Sequence, residues 1–475
     1  MRLNKKAMWT ISVLIIYLLL SEVPLFGLSS ESTDYLEPFR NLIGGSFGSL
    51  LTLGIFPLIG EIFILEALVA NNYIKLDMSN PADEYYFKEL SKSSFLIFTV
   101  VQAIFFVTFT QIKPNLDLAA SLGISDFSML VLLVAQLVVG AILVEFFIDI
   151  INEWGIGNGV GWFIIAGVSI SIFFDLFNPK IIDGLPLGTF PRIYSLVLEN
   201  GLLMKQNELK YFVATSKIIP LVGTIIMFFI YIYIFSIKIE IPLAHSAVRG
   251  ARGRFPVRLI YASSIPLALV ESLRIFLFSF FSFLYNREIS IHVVPNWHPL
   301  RGNIGVESLP VFFKYLQPLS GASEWIPMLM FNEGDISGLI IKIFINAVFL
   351  VGGCVLFSLF WVETRGIGAR PTARKIFNSG YQIPGFRRNI GSIEKVMARY
   401  IPTVTVWGGI ILGLLALISS FFGIVGNDVV GLLIAIQILI KIYKEVENAQ
   451  TLDLPPRLRN FFFPERTPPE NDDVE

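Results

Sequence analysis

The chain has 475 residues, of which 54% are hydrophobic and 15% charged, with a mean hydropathy of +0.69 and a formal net charge of −1. Soluble domains carry about 25% charged residues, so the composition is that of an integral membrane protein. A balanced net charge excludes a general attraction to nucleic acid. The single cysteine, Cys354, excludes an intramolecular disulfide, and His245, His292 and His298 lack zinc-type spacing, so no metal or other cofactor is expected.

A spanning helix needs about 20 apolar residues. The first candidate is Met8–Leu28, behind Arg2, Lys5 and Lys6; Glu22 and Pro24 stand where a signal peptide would need small residues, so it reads as a helix that stays. The second, Pro38–Ala70, cannot be a plain spanning helix. Gly44, Gly45, Gly48, Gly54, Gly60 and Pro57 interrupt it, and loosened backbone at membrane depth is tolerated only inside protein or against a cavity. It divides into a re-entrant piece, Phe39–Leu51, and a spanning half, Phe56–Ala70; a glycine-rich packing face on one long helix is the alternative. Further spans follow at Ser94–Gln111, Ser128–Ile151, Gly159–Phe177, Ile218–Ile237, Val257–Leu284, Gly338–Val362, Tyr400–Phe422 and Val429–Tyr443.

The expected fold is therefore an all-α membrane bundle of ten transmembrane helices in two inverted five-helix halves, with a re-entrant plug in the second helix. The halves are residues 1–177 and 214–446, joined by an external hinge connection at 178–213; the tail 447–475 ends acidic and proline-rich and should be disordered. Lys and Arg concentrate in the segments that are internal if the N-terminus is inside, which places both termini in the cytoplasm.

Two internal loops stand out. Ile239–Arg258 carries Arg249, Arg252, Arg254 and Arg258; Glu363–Arg399 carries Arg370, Arg374, Arg387 and Arg388. Such loops can simply satisfy positive-inside topology, or can grip phosphates of a large anionic partner such as ribosomal RNA. No nucleophile–histidine–carboxylate set occurs, so no enzyme is expected. Glu61, Glu66 and Glu271 inside spanning segments leave a secondary transporter open beside a channel, since intramembrane carboxylates and a broken helix are also that class's signature.

Four motifs narrow the choice: TLGIFP at Thr52–Pro57, WGIGNGVGWFIIAGVS at Trp154–Ser169, EIPLAH at Glu240–His245 and FWVET at Phe360–Thr364. With PGFR (Pro384–Arg387) and RYIPTVTV (Arg399–Val406), the chain resembles SecY, the large subunit of the heterotrimeric protein-conducting channel, in its archaeal and eukaryotic branch. The resemblance covers about Met8–Glu447. It implies a passive channel for secretory polypeptides in the cell membrane, probed by signal sequences and nascent polypeptides and able to release helices into membrane lipid. It also implies small SecE/gamma-type and beta-type single-helix subunits as partners, and the ribosome on the two basic loops.

Motif by motif, the resemblance places an aliphatic pore ring on Ile55, Ile59, Val160, Ile164, Ala268 and Ile434, with Ala268 smaller than is usual there. A dry collar of this kind blocks ions by desolvation without gripping a passing peptide. The plug falls on Phe39, Gly44, Gly45, Ser46, Gly48 and Ser49, and the lateral gate on Glu61, Glu66, Gln102, Glu271, Arg274 and Phe276. Glu271 and Arg274, three apart, either form a self-contained pair or leave Glu271 free to accept hydrogen bonds from the plug serines.

Overall fold

The computed structural model describes residues 3–30, 32, 44–70, 73–76, 81–109, 112–182, 184–200, 206–245, 252–286, 315–319, 321–331, 336–382, 389–426 and 428–453. Ten long helices follow the expected order: α1 (Leu3–Ser21), α2 (Phe56–Ala70), α3 (Pro81–Phe109), and, after a short α4 (Leu116–Leu122), α5 (Asp126–Trp154) and α6 (Gly159–Phe177). The connection to the second half holds a two-residue hairpin, β1 (Ile181–Ile182) and β2 (Leu185–Pro186), then α7 (Thr189–Asn200) and α8 (Gln206–Thr215). The second half consists of α9 (Ile218–Ser236), strands β3 (Lys238–His245) and β4 (Arg252–Arg258), α10 (Ile265–Asn286), α11 (Ala322–Phe331), α12 (Ile336–Thr364), α13 (Ala369–Asn378), β5 (Tyr381–Gln382), α14 (Ile390–Phe422) and α15 (Val429–Asp453).

Local chemistry sets several of these boundaries. Ser125 accepts a hydrogen bond from Ser128 N at the start of α5, and Asn158 accepts one from Val160 N at the start of α6, each satisfying a donor the first turn leaves open. Pro81 opens α3, where its missing N–H costs nothing; the helix therefore begins 13 residues before the apolar stretch at Ser94. α10 starts at Ile265 rather than Val257 because Val257 is held in β4 and Ser263 turns the chain with a left-handed φ of 63°.

The basic loops are the main departure from an all-helical reading. β3 pairs antiparallel with β4 from Lys238↔Arg258 to Ala244↔Arg252, and β5, from the second basic loop, adds to the free edge of β3 at Ala244↔Gln382 and His245↔Tyr381. The two loops are thus one structure. Ile241, Leu243 and Val257 on the sheet share a buried cluster with Trp361, Ala373, Ile376, Met397 and Ile401 from α12, α13 and α14.

Close backbone approach holds the second half together. A Cβ on Gly413 would lie 2.7 Å from Val351 Cα, and one on Gly409 would lie 2.9 Å from Val355 Cα, so α14 and α12 meet through small residues as spanning helices commonly do. A large apolar core runs through both halves, from Val13 and Tyr17 of α1 to Leu433 and Ile436 of α15.

Candidate translocation pore and its flanks

Ile55 is 1% exposed at the entry to α2, and Ile164 is 5% exposed in α6. Val160 lies one turn before Ile164, Ala268 in the first turn of α10 and Ile434 in α15, and all three pack, partly buried, on the same apolar core. Five of the six expected ring residues are therefore gathered in one aliphatic core built from both halves. Ile59 differs: it is 38% exposed and stands outside that core. The gathered side chains offer no hydrogen-bonding group, so a hydrated ion there would lose its shell without replacement.

Above the core, residues 44–55 form consecutive turns rather than helix. Tyr17 Oη donates to the Gly44 carbonyl, Ser46 Oγ donates to Ser21 O at 2.5 Å, and Thr52 Oγ1 donates to Ser49 O at 2.6 Å. Leu25 N donates to Gly48 O at 2.7 Å and Leu50 N to Val23 O at 2.8 Å. These bonds tie the segment to the end of α1 and the loop behind it. The approach to α5 is closer still: a Cβ on Gly140 would lie 1.9 Å from the Leu50 carbonyl oxygen, so only glycine fits there. Phe39 lies outside the described residues.

Glu61 is fully buried in α2 and accepts hydrogen bonds from Ser94 Oγ at 2.7 Å and Ser91 Oγ at 3.0 Å, both on α3. Gln102 of α3 lies beside Gly60, where a Cβ would meet its Nε2 at 3.1 Å. On the other flank, Arg274, 2% exposed, pairs with Glu271 and donates to Asn346 Oδ1 of α12 at 3.2 Å. Its guanidinium lies 5.6 Å from the centre of the Phe349 ring. Asn346 in turn donates to the carbonyls of Tyr315 and Gln317, each at 3.0 Å. Glu271 and Arg274 are thus a helix-internal pair anchored to α12, and Ser46 and Ser49 bond elsewhere, which corrects the expectation that Glu271 accepts hydrogen bonds from these two serines. The side chains of Glu66 and Phe276 lie outside the described ones.

On the basic sheet, Arg254 pairs with Glu240 at 2.5 Å, its side chain still 75% exposed. Arg258 is exposed at the foot of the hairpin, six residues, or about 20 Å of strand, from Arg252. α13 buries Thr372, Ala373 and Ile376 and leaves Arg370 and Arg374 exposed. Arg249, Arg387 and Arg388 lie outside the described residues, as does the Arg252 side chain.

Sequence reasoning missed one further cluster. Asp175, near the C-terminal end of α6, pairs with Lys217 at 2.7 Å and accepts a hydrogen bond from Gly426 N at 3.0 Å; Lys217 also donates to Leu187 O at 3.1 Å. A lone Asp near a helix end gives no sequence signal for partners 42 and 251 residues away.

A polytopic helical bundle with a broken second helix, a bonded turn segment over a dry aliphatic centre and a shared basic surface at one end has the features of a membrane channel. The SecY family model matches residues 49–443, and the plug domain of Sec61p matches residues 15–48. The chain belongs to the SecY family. It is 36% identical to the protein translocase subunit SecY of Archaeoglobus fulgidus, over 96% of this chain and 93% of that one. It is also 36% identical to that of Halobacterium salinarum, over 97% and 94%. Among solved structures, a protein-conducting channel superposes with a TM-score of 0.68 at 27% identity, covering 95% of this chain and 94% of the other. Sec61 in the canine ribosome–channel complex from the endoplasmic reticulum superposes with a TM-score of 0.66 at 26% identity, with the same coverage. The chain is accordingly a multi-pass membrane protein and a protein-translocation channel.

Proposed function

We propose that the translocating polypeptide passes between Ile55, Val160, Ile164, Ala268 and Ile434, with residues 44–51 as the inner part of the plug that fills the path at rest. The observation that carries this is the gathering of these side chains, from both halves, in one aliphatic core directly under a segment bonded to α1. Ile59, more exposed, belongs to the wall that faces the exit toward lipid. That exit runs between the α2–α3 pair and the α10–α12 pair. Each pair is fastened internally, by Glu61 with Ser91 and Ser94 and by Arg274 with Asn346.

Both termini lie on the cytoplasmic side of an archaeal-type cell membrane, together with the three-stranded sheet and α13. This sheet, with Arg254, Arg370 and Arg374, is the docking surface for ribosomal RNA, in keeping with the ribosome-bound relative. SecE/gamma-type and beta-type single-helix subunits complete the channel and cover part of its apolar periphery. A secondary transporter would have no use for this basic platform.

The test uses single cysteines at Ile164 and Ile434 in a Cys354→Ser background, with a secretory chain stalled in transit. Both positions should crosslink to the stalled chain, and lipid-exposed Phe229 should not. Uniform crosslinking at all three would remove the ring assignment.

A further inference from the structure

Where the β3–β4 hairpin joins the bundle, a recess opens between the end of α9, the approach to α10 and one flank of α15. Its floor is apolar, made by Phe235, Ile260 and Ile440; its rim is Arg258, Lys441, Lys444 and Gln437. Gln437 is already engaged, accepting from Ser264 N at 3.1 Å and from Ser264 Oγ. The cations are not. Lys238 and Arg258 are direct cross-strand partners, an arrangement that destabilises a strand pair when the charges are alike. Lys444 lies close enough to feel both, against a single opposing carboxylate, Glu447. Glu445 is turned to the other flank, its Oε2 3.6 Å from where a Cβ on Gly157 would stand. Among the described residues, none of these four cations has an ion-pair partner. Four neighbouring positive charges set against one carboxylate, none of them in an ion pair among the described residues, call for an anion from outside.

The depth of the recess identifies the source. α9 has 19 residues and no charge between Ile218 and Ser236, so it measures about 28 Å, close to the roughly 30 Å hydrocarbon core. Phe235 therefore marks the hydrocarbon boundary, and Lys238, Arg258 and Lys444 stand in the headgroup layer. A soluble anion would have no use for the apolar floor. An amphiphile has use for both, and basic pockets between spanning helices on the cytoplasmic side suit anionic headgroups. We propose that this recess binds the headgroup of an anionic phospholipid, its phosphate among Lys238, Arg258, Lys441 and Lys444 and the start of its chains against Phe235, Ile260 and Ile440. The site would hold the foot of the hairpin, and with it the docking sheet, at a fixed height on the membrane.

The experiment uses the full chain with its copurifying subunits, reconstituted into vesicles containing equal amounts of either phosphatidylglycerol or phosphatidylcholine that carries a photoactivatable acyl chain. Adducts are mapped by peptide mass spectrometry. The phosphatidylglycerol probe should label the peptide containing Ile440 about fivefold more per engaged lysine than the neutral probe. Lys441→Gln with Lys444→Gln should bring labelling to the neutral level, while Lys441→Arg with Lys444→Arg keeps it. Excess inorganic phosphate should not compete. Equal labelling by the two lipids overturns the proposal, as does competition by phosphate, which would make this a soluble-anion site. Crosslinks from the recess to a copurifying polypeptide in place of lipid would make it a subunit interface and overturn it too. Crosslinking of a stalled chain at Ile164 and Ile434 is independent of these outcomes, so failure here leaves the pore reading standing.

Discussion

The distance between α5 and the plug segment is set by a hydrogen atom at Gly140. With the Leu50 carbonyl oxygen 1.9 Å from where a Cβ would stand, Gly140→Ala forces Leu50 away from α5 or bends the helix. Overpacking of this kind costs about 1–3 kcal/mol, and in the proposed plug role of this segment the cost falls on the closed state, because Leu50 N is one of the donors that hold the segment to Val23 O. Closed and open states a few kcal/mol apart exchange populations under such a change. Gly140→Ala should therefore raise the resting ion conductance of reconstituted vesicles several-fold, with the protein still assembled. Gly352→Ala in α12 is the matched control: nothing lies within 4 Å of its Cβ position, so conductance should stay at the wild-type level. Equal behaviour of the two variants would show that the segment does not seal against α5. The glycine itself was visible in the sequence; its neighbour, 90 residues earlier, was not, since nothing local to either residue encodes the contact.

Among the elements, helices were far more legible than strands. α2 and α6 begin and end where their apolar stretches do, and Asn158 and Pro57 mark their starts in the sequence. The strands β3 and β5 lie more than a hundred residues apart and pair over two positions, Ala244↔Gln382 and His245↔Tyr381, a contact no periodicity reveals. The alternation of buried Ile241 and Leu243 with exposed Pro242 was a strand signal, but the arginine run obscured it as a loop. Pairing changes what the arginines can do. Arg254 on the hairpin and Arg370 and Arg374 on α13 are carried by ordered elements packed on one cluster, so they present a fixed pattern to a phosphate backbone and lose little entropy on binding. Changing all three to Glu should weaken ribosome binding by at least about tenfold at low salt, with unchanged assembly in the membrane. The wild-type affinity should fall linearly on a log–log plot against salt, and the slope of the variant should be shallower by roughly the number of phosphates it no longer neutralises. Sedimentation with ribosomes across a salt series measures both, and identical slopes would leave the sheet as a topology signal only.

In the whole molecule, the two halves are fastened unequally around the bundle. On one side, α15 packs along α6, and Gly161 leaves room for Ile438. At the C-terminal end of α6 on that side, Asp175 bonds Lys217, which opens α9 with a left-handed φ of 57°, and Gly426 in the turn before α15. Ser171 Oγ donates to the Gly426 carbonyl at 3.0 Å, so the first and second halves meet at one carboxylate, and Lys217 ties in the connection between them through Leu187 O. On the other side, the buried polar bonds run within each flank, Glu61 to Ser91 and Ser94, and Arg274 to Asn346. We propose that a bundle built this way opens by rotation about its pinned side, each flank of the exit moving as a unit. Asp175 is then the pin. Its bonds to a lysine and a backbone N–H contribute about 1–2 kcal/mol after allowance for their partial exposure. Asp175→Ala removes both bonds and leaves Lys217 without its partner. Asp175→Asn keeps one acceptor, for Gly426 N, and loses the charge and the oxygen that accepts from Lys217. The Ala variant should translocate secretory chains several-fold more slowly, because rotation is no longer guided, and should leak ions at rest. The Asn variant should fall between Ala and wild type in both measurements. Translocation into reconstituted vesicles and their ion conductance supply the two readings. If Asp175→Ala matches wild type in both, the pinned side is not the hinge, and the exit must open by bending within a flank.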